Sequence, residues 1–380
     1  MDMDNFTNES TCASENVTVE PYSVTNQFRL PEWQVALWTL PYTAIVLAAI
    51  VGNSIVIWIV FAHANMRTVT NYFLVNLAFA DVSIASFNTI FTFTFSVTGD
   101  WYYGKFYCYF MNFVPTTAVS ASIYTLTAIC LERYIAIVHP LKPRMSRMCA
   151  KSVIAAIWLC AATVNVPLCV YSHFYTFTYG EEEWSVCRFQ WPNDNVQFWY
   201  DVGLMIVNYF MPLLVMAVAY TIVGFTLWAG KIPGEATQRH VEQMKAKRRV
   251  VKMMVIVVVT FCVCWLPYHV YFLIDSSYKE WKHIQQVYLA VFWLAMSNSM
   301  YNPFIYCWLN KRFRYGFQTA LRWCPGVPSP KDPCDSSLKM NRFTKSTSTQ
   351  LSTMRVVSTV HKSTSSSSRI ARRVSETSVV

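Results

Sequence analysis

The sequence predicts an all-α membrane protein: a seven-transmembrane helix bundle followed by a short amphipathic eighth helix. Hydrophobic residues make up 54% of the 380 residues and charged residues only 14%, whereas a soluble domain carries about a quarter charged residues. Apolar runs recur along the chain, each long enough for a helix to cross about 30 Å of hydrocarbon. Basic residues gather in alternate loops between these runs, which is typical of multi-pass membrane proteins.

The first segment, residues 1–33, is predicted to be an extracellular glycosylated tail. It holds three Asn-X-Ser/Thr sequons, at Asn5, Asn8 and Asn16, which are acceptor sites for glycans in secreted segments. No apolar leader precedes these sequons, so the first span is expected to act as the insertion signal.

A seven-helix transmembrane bundle is predicted over residues 34–308. Inside lipid every backbone N–H and C=O needs an internal partner, so apolar runs that show no strand-like alternation are expected to be helices. The predicted spans cover residues 34–62, 70–97, 105–138, 150–171, 197–228, 248–274 and 284–308.

The charges of the loops predict which side of the membrane each loop faces. Arg67 follows the first span with no acid nearby, and the loops after the third and fifth spans are also basic. The loop after the fourth span holds Glu181, Glu182 and Glu183 instead. Because basic loops stay inside the cell, an extracellular N-terminus, a cytoplasmic C-terminus and a plasma-membrane location are predicted. The net charge of +10 could suggest a nucleic-acid partner. None is expected, because the charges avoid the long apolar runs and gather between them.

The segment after the seventh span, residues 309–324, is predicted to form an amphipathic juxtamembrane helix. Phe313, Phe317 and Leu321 recur every four residues, and basic side chains occupy other positions. Such a helix binds membrane lipid at the inner leaflet. Cys324 at its end is a candidate for palmitoylation, and an unmodified thiol is the alternative.

Residues 325–380 are rich in Ser, Thr and basic residues, and they are predicted to be a disordered cytoplasmic tail. Clusters of Ser and Thr at residues 346–349 and 363–368 are candidate phosphorylation sites. Phosphorylation would add negative charge, to which arrestin would bind. The ending Ser378-Val379-Val380 has the form of a PDZ ligand. The alternative for all of these features is a plain solvated linker.

Polar side chains inside the spans point to a hydrated cluster around Asp81. Asp81 is the only acid in the middle of the second span, and Ser122, Asn298 and Asn302 lie at comparable depth in spans three and seven. A carboxylate among neutral oxygens suits a small hard cation such as Na⁺, so an allosteric sodium site is predicted. The alternative is a hydrogen-bond network that only joins helices. No other metal and no cofactor are expected.

Two groups of residues are candidates for conformational switches. Glu132, Arg133 and Tyr134 lie at the inner end of the third span, where an ion pair between adjacent charges can hold a closed state. The second group combines helix-kinking prolines with bulky or polar neighbours, although a kink by itself is equally a static shape. The members of this second group are Trp265, Pro267, Asn302, Pro303 and Tyr306.

A disulfide between Cys108 and Cys187 is expected on the extracellular side. Cys108 opens the third span, and Cys187 lies in the loop between spans four and five. Thiols outside the cell are expected to pair, and this bridge would hold the loop over the mouth of the bundle. Cys12 is a third outer cysteine, without an evident partner.

Taken together, these motifs resemble those of the rhodopsin-like (class A) G-protein-coupled receptors over residues 33–323. The residues that carry this resemblance are Gly52-Asn53, Leu77-Ala78-Phe79-Ala80-Asp81, Glu132-Arg133-Tyr134, Trp158, Pro212, Cys264-Trp265-Leu266-Pro267 and Asn302-Pro303-Phe304-Ile305-Tyr306. Narrower stretches resemble the tachykinin (neurokinin) receptors, with the substance-K (neurokinin A) type nearest. They cover residues 66–78, 101–104, 264–269, 284–290 and 293–297.

The resemblance implies a receptor, not an enzyme, whose ligand is an amidated peptide ending in Phe-X-Gly-Leu-Met, such as neurokinin A or substance P. It also implies that span six swings outward to admit a heterotrimeric G protein of the q class, which drives phospholipase C and calcium release. By matching motif positions, the ligand-binding residues would be Asn88, Asn112, Pro115, His269, Phe272, Tyr288 and Phe292. Leu168 departs from the family pattern, in which Gln is typical, and Asp201 stands where a His is common in the substance-P type.

Other membrane proteins fit the sequence less well. A transporter would show inverted repeats and a channel a selectivity filter, and neither is visible. An opsin needs a Lys in the seventh span, and an amine receptor needs an acid where Pro115 stands. No Ser/His pair or metal cluster suggests an intramembrane enzyme. A receptor for another amidated neuropeptide remains the main alternative.

Overall fold

Long helices dominate the computed structural model, which describes residues 30–179, 182–228, 238–274, 283–325 and 327. Within those residues the helices are α1 (Glu32–Ala62), α2 (Val69–Thr98), α3 (Gly104–Val138), α4 (Arg147–Val170), α5 (Asp194–Trp228), α6 (Gln238–Ile274), α7 (Ile284–Leu309) and α8 (Lys311–Ala320). The first seven coincide with the predicted spans to within a few residues, except that α6 begins ten residues earlier than predicted, at Gln238 instead of Arg248.

Several predicted sites lie outside the described residues. They are the sequons at Asn5, Asn8 and Asn16, the thiol of Cys12, the tail clusters at residues 346–349 and 363–368, and the ending Ser378-Val379-Val380. Those sites stay predictions.

Six helices in the described part of the chain, α1 to α6, are long and apolar enough to cross a membrane. The seventh, α7, has 26 residues, which is also sufficient in length, but its composition is more polar. Its buried face carries Ser297, Asn298, Ser299 and Asn302. Polar side chains of a membrane helix turn toward the bundle interior, so the polarity of α7 marks the side on which it packs.

Side-chain caps define where several helices begin. Thr68 accepts a hydrogen bond from the Asn71 N–H at the start of α2, and Ser146 accepts one from the Cys149 N–H at the start of α4. Asn193 caps α5 in the same way. Each cap satisfies one of the backbone donors that have no partner within the first helical turn.

Two helices contain a π-helical turn that the sequence did not predict. In α2 the turn covers Ala85–Thr89, and in α5 it covers Ile206–Phe210. Pro212 lies two residues after the end of the second turn. Since proline has no N–H to donate to the residue four positions earlier, the wider turn beside it accommodates the missing bond.

The segment between α4 and α5, which the sequence predicts to be a loop, forms a β-hairpin. Strands β1 (Ser172–Tyr179) and β2 (Glu182–Phe189) pair antiparallel, with Phe174 opposite Cys187. The predicted disulfide between Cys108 and Cys187 is confirmed, and it fastens β2 to the start of α3. We call this end of the bundle the hairpin end.

A second attachment joins the hairpin to the connection between α2 and α3. The backbone N–H of Trp101 donates to the carbonyl of Ser185 at 2.8 Å. The N–H of Ser185 in turn donates to Asp100 Oδ1 at 2.9 Å. Gly99 makes this connection possible, because its φ of 70° lies in the left-handed region that costs glycine little. The hairpin is therefore held on the side of α2 and α3.

Polar contacts and small residues join the helices inside the bundle. Trp158 Nε1 on α4 donates to Asn76 Oδ1 on α2 at 2.8 Å, and Asn76 Nδ2 donates to Thr125 Oγ1 on α3 at 2.8 Å. Gly52 on α1 lies so close to α7 that an added Cβ would meet Pro303 Cγ at 2.9 Å. Such polar links and close approaches are the usual means of packing helices in membranes.

Helix α8 packs across the end of the bundle opposite the hairpin. It buries Phe313 and Phe317 and exposes Lys311 and Arg312. At Gly316 an added Cβ would meet Ile59 Cγ1 of α1 at 2.7 Å. The helix is shorter than the predicted segment 309–324, and its placement on a membrane surface stays a prediction.

Candidate functional site

A cavity of about 390 Å³ opens among the helices at the hairpin end. Six of the seven predicted ligand-binding residues line it, namely Asn88, Asn112, His269, Phe272, Tyr288 and Phe292. Pro115 does not line it and is buried inside α3. The structure therefore brings together predicted residues from four different helices around one space of a size common for ligand sites.

Aromatic rings form the wall of the cavity on α6 and α7. The rings of Tyr268 and Phe272 lie 4.7 Å apart, and those of Tyr288 and Phe292 stack at 5.7 Å. His269 packs its imidazole against Tyr209, with ring centroids 4.7 Å apart. This wall suits an apolar ligand segment, because aromatic faces offer a large contact area at a low cost in side-chain entropy.

Amide side chains supply polar groups on the opposite wall. Asn112 Nδ2 donates to Ser172 Oγ at 2.9 Å and contacts Cys187 Sγ at 3.4 Å. Asn165 Nδ2 donates to Ser120 Oγ at 2.8 Å. These bonds fix the orientation of the amides and link the wall to the disulfide-bonded hairpin.

The contribution of α5 to the cavity was missed at the sequence level. Gln197, Asp201, Leu204, Met205 and Asn208 all line it. Their spacing of three or four residues places them on one helical face, a signal that was readable in the sequence. Three of these five residues, Gln197, Asp201 and Asn208, are polar, and polar residues within a membrane span are the signal that could have found this face.

Trp265 forms the floor of the cavity. It is only 7% exposed, lies in the cavity lining, and stacks on Phe261 with ring centroids 5.9 Å apart. Its indole N–H has no hydrogen-bond partner among the described residues. Pro267 follows two residues later inside α6. A bulky ring in the cavity lining thus lies two residues before a proline of α6, and its role as a switch stays a prediction.

The predicted sodium cluster lies within the bundle core. Asn302 Nδ2 donates to Asp81 Oδ2 at 2.8 Å, and Asp81 is fully buried. Asp81 Oδ1 and Ser122 Oγ are buried without a hydrogen-bond partner among the described residues. Asn298 is also buried, but no described hydrogen bond joins it to Asp81. An unpaired carboxylate oxygen at this depth is costly, and Asp81 Oδ1 is the atom that a bound cation would satisfy. Among the four predicted sodium ligands, the described hydrogen bonds join Asp81 and Asn302, and the sodium site stays a prediction.

The end opposite the hairpin holds the other predicted switch. Arg133 Nε lies 2.5 Å from Glu132 Oε2, and Thr70 Oγ1 donates to the same carboxylate at 3.3 Å. The Arg133 guanidinium also contacts the Thr70 hydroxyl. The charged pair is therefore tied to α2, in agreement with a closed arrangement.

The α5–α6 contact lies beside that charged pair. Tyr134 packs against a small buried cluster made by Val223 and Leu227 of α5 and Val251 of α6. Arg248 Nε of α6 donates to the Leu227 carbonyl at 3.0 Å. Outward movement of α6 would break this bond and open the cluster. Tyr306 on α7 is fully buried, and its hydroxyl has no partner among the described residues.

Comparison with known proteins gives one consistent result. Residues 52–306 match the family described as 7 transmembrane receptor (rhodopsin family). The chain is 55% identical to the Neuromedin-K receptor of Mus musculus over 326 residues, which cover 84% of this chain and 71% of that receptor. It is 47% identical to the Substance-P receptor of Canis lupus familiaris over 367 residues, which cover 95% of this chain and 86% of that receptor.

Proposed function

Because the chain belongs to the rhodopsin family of seven-transmembrane receptors, and within it to the tachykinin receptors, we propose that amidated tachykinin peptides bind in the cavity at the hairpin end. Binding activates a heterotrimeric G protein of the q class, phospholipase C and calcium release. The protein is a multi-pass membrane receptor and not an enzyme. The observation that carries the proposal is the cavity itself, whose aromatic wall and fixed amides suit an uncharged, amidated, apolar peptide end.

A calcium assay on cells that express the chain tests this function. An amidated peptide ending in Phe-X-Gly-Leu-Met should evoke a response, whereas the same peptide with a free carboxylate should be at least about tenfold weaker. The reason is that no Lys or Arg lines the described part of the cavity to pair a carboxylate. Biogenic amines serve as the negative control. A response to amines and none to any amidated peptide would contradict the proposal.

An allosteric sodium ion at Asp81, Ser122, Asn298 and Asn302 belongs to the same proposal. Agonist affinity in wild type should change about fivefold or more when NaCl replaces N-methylglucamine chloride at constant ionic strength. Asp81→Asn should abolish that change, because the amide removes the charge that holds the ion. Asp194→Asn, an exposed acid in the first turn of α5, is the matched control. If Asp81→Asn and wild type were equally sensitive to sodium, these residues would form a hydrogen-bond network that only joins helices.

The proposed topology places the hairpin end outside the cell. It is supported by the disulfide at that end, since disulfides persist in oxidising compartments. It is also supported by the exposed Lys142 and Arg144 between α3 and α4, and by Lys151 near the start of α4, at the other end, because basic loops stay in the cytoplasm. Glycans on Asn5, Asn8 and Asn16 and a cytoplasmic C-terminus follow from this orientation.

The inner segments have further proposed partners. Cys324 is exposed just beyond α8, where a palmitoyl chain would anchor the helix to membrane lipid. The phosphorylatable tail would recruit arrestin, and the ending Ser378-Val379-Val380 would bind a PDZ domain. These proposals rest on the sequence, since the tail lies outside the described residues.

A further inference from the structure

Each of the two π-helical turns presents an asparagine to the ligand cavity. Asn88 lies in the turn Ala85–Thr89 of α2, and Asn208 lies in the turn Ile206–Phe210 of α5. A π turn holds more residues than an α-helical turn, so its side chains point in directions that an unbroken α-helix would not give them. The direction of these two amides therefore depends on what keeps each turn in place.

The two turns differ in what could keep them in place. In α5, Pro212 lies two residues after the turn, and its missing N–H accounts for the wider backbone. The sequence of α2 contains no proline. Irregular turns also arise where a side chain engages the helix backbone, and α3 supplies such a side chain to α2. The Tyr107 hydroxyl donates to the Phe87 carbonyl, inside the turn Ala85–Thr89, at 3.0 Å.

Ring packing fixes the place of the Tyr107 hydroxyl. The centroid of its ring lies 4.4 Å from that of Phe91 on α2 and 5.4 Å from that of Phe110 on α3. It also stacks with the ring of Trp101 at 6.1 Å, and Trp101 is buried and bonded to the hairpin. Because these contacts hold the ring, a phenylalanine at position 107 would keep the packing and lose the hydroxyl alone.

Tyr107 reaches the turn from the outside of the bundle. It does not line the cavity, and the neighbouring side chains of Phe87 and Phe106 are 41% and 80% exposed on the surface that lipid covers. Lipid offers no water to replace a lost donor, so removal of the hydroxyl leaves a cost at the Phe87 carbonyl. A rearrangement of the turn would lower that cost, and it would move Asn88.

The amide of Asn88 is the part of the turn that borders the ligand space. Thr92 Oγ1 donates to Asn88 Oδ1 at 2.7 Å, so the amide oxygen already has a partner. Asn88 Nδ2 lies 3.6 Å from Met296 Sδ on α7, and a thioether is a weak acceptor. A peptide carbonyl is a stronger one. The amide nitrogen is therefore a donor for a bound peptide, at a position that the turn sets.

We propose that Tyr107 is a positioning residue for ligand binding, which acts from the lipid-facing side of the bundle through the π turn of α2 on the amide of Asn88. The inference rests on the proposed function, because it deepens the description of the same cavity. It predicts that peptide affinity depends on a hydroxyl that lies outside the cavity.

A double-mutant cycle on the full-length receptor tests the proposal. Competition binding would measure the affinity of an amidated peptide ending in Phe-X-Gly-Leu-Met for wild type, Tyr107→Phe, Asn88→Ala and the double mutant. Tyr103→Phe is the matched control. Its ring centroid lies 5.8 Å from that of Tyr107, and its hydroxyl makes no hydrogen bond within the described part of the chain.

Tyr107→Phe should weaken peptide binding about three- to tenfold, the range expected for the loss of one hydrogen bond. Tyr103→Phe should stay within about twofold of wild type. In the Asn88→Ala receptor, Tyr107→Phe should add less than about twofold, because the group that Tyr107 positions is already absent.

A merely structural role for Tyr107 would give the same loss of affinity with and without the Asn88 side chain. That result would overturn the inference and leave the proposed function intact. Wild-type affinity in Tyr107→Phe or in Asn88→Ala, or an equal loss in Tyr103→Phe, would also overturn it. A wild-type receptor that binds no amidated peptide would instead remove both the inference and the proposed function.

Discussion

Cells that express Cys108→Ala or Cys187→Ala are expected to lose high-affinity peptide binding and most of the receptor at their surface. The bridge joins residues 79 positions apart, and closing a loop of that length stabilises a fold by about 4.5 kcal/mol. It also holds β2 against α3, next to Asn112, whose amide contacts Cys187 Sγ. Without the bridge, one wall of the cavity loses its attachment. Radioligand binding and surface immunoassay measure the two losses separately.

The double mutant distinguishes the bridge from the individual thiols. If the covalent bond is what matters, the double mutant should behave like either single mutant, because the second substitution removes nothing further. Cys149→Ala, a free and exposed cysteine at the start of α4, should bind and traffic normally. Wild-type binding in both single mutants would show that the hairpin does not depend on the bridge.

Arg133→Ala is expected to reduce the maximal calcium response at least about tenfold while peptide affinity stays within about twofold of wild type. Arg133 lies at the end of the bundle opposite the cavity, paired with Glu132 and in contact with Thr70. Its guanidinium offers five N–H donors, and outward movement of α6 would expose it to the G protein. Loss of this group removes the transducer contact without touching the peptide site.

A charge-matched control accompanies this prediction. Arg144→Ala removes an exposed arginine from the neighbouring loop and should leave the calcium response unchanged, which separates a specific role from a general loss of positive charge. Glu132→Gln should raise basal signalling, because it weakens the pair that holds the closed arrangement. A full response of Arg133→Ala at normal surface expression would exclude Arg133 as a switch.

The helices could be predicted from sequence because lipid allows few backbone structures. Each apolar run had to pair its own backbone groups, so the start and end of most spans followed from the first and last polar residues. The hairpin between α4 and α5 escaped prediction, since its pairing depends on contacts with Trp101 and Asp100 in another loop. The π-helical turns escaped for a related reason: a single inserted residue leaves the apolar pattern almost unchanged.

The candidate site could be predicted where a residue matches a motif position of the resembled receptor family. Asn88, His269 and Tyr288 are of this kind, and all three line the cavity. Pro115 does not line the cavity. The sequence gives its depth in α3 but not the direction in which its side chain points. Asp201 also lines the cavity, and the sequence alone shows only a departure from the substance-P type, because the packing of α5 decides which of its side chains reach the cavity.

The tight fit of Gly52 against Pro303 and of Gly316 against Ile59 has a mechanical consequence. Neither contact leaves room for one helix to slide along the other. We therefore expect α1, α8 and the adjoining half of α7 to keep fixed positions relative to one another. Displacement is then left to the remaining helices. Where α6 meets the end of α5, Arg248 Nε and Nη2 both donate to the Leu227 carbonyl, and Val251 packs against Val223 and Leu227. We therefore expect α6 to move relative to α1, α7 and α8, and that movement has to break these contacts with α5.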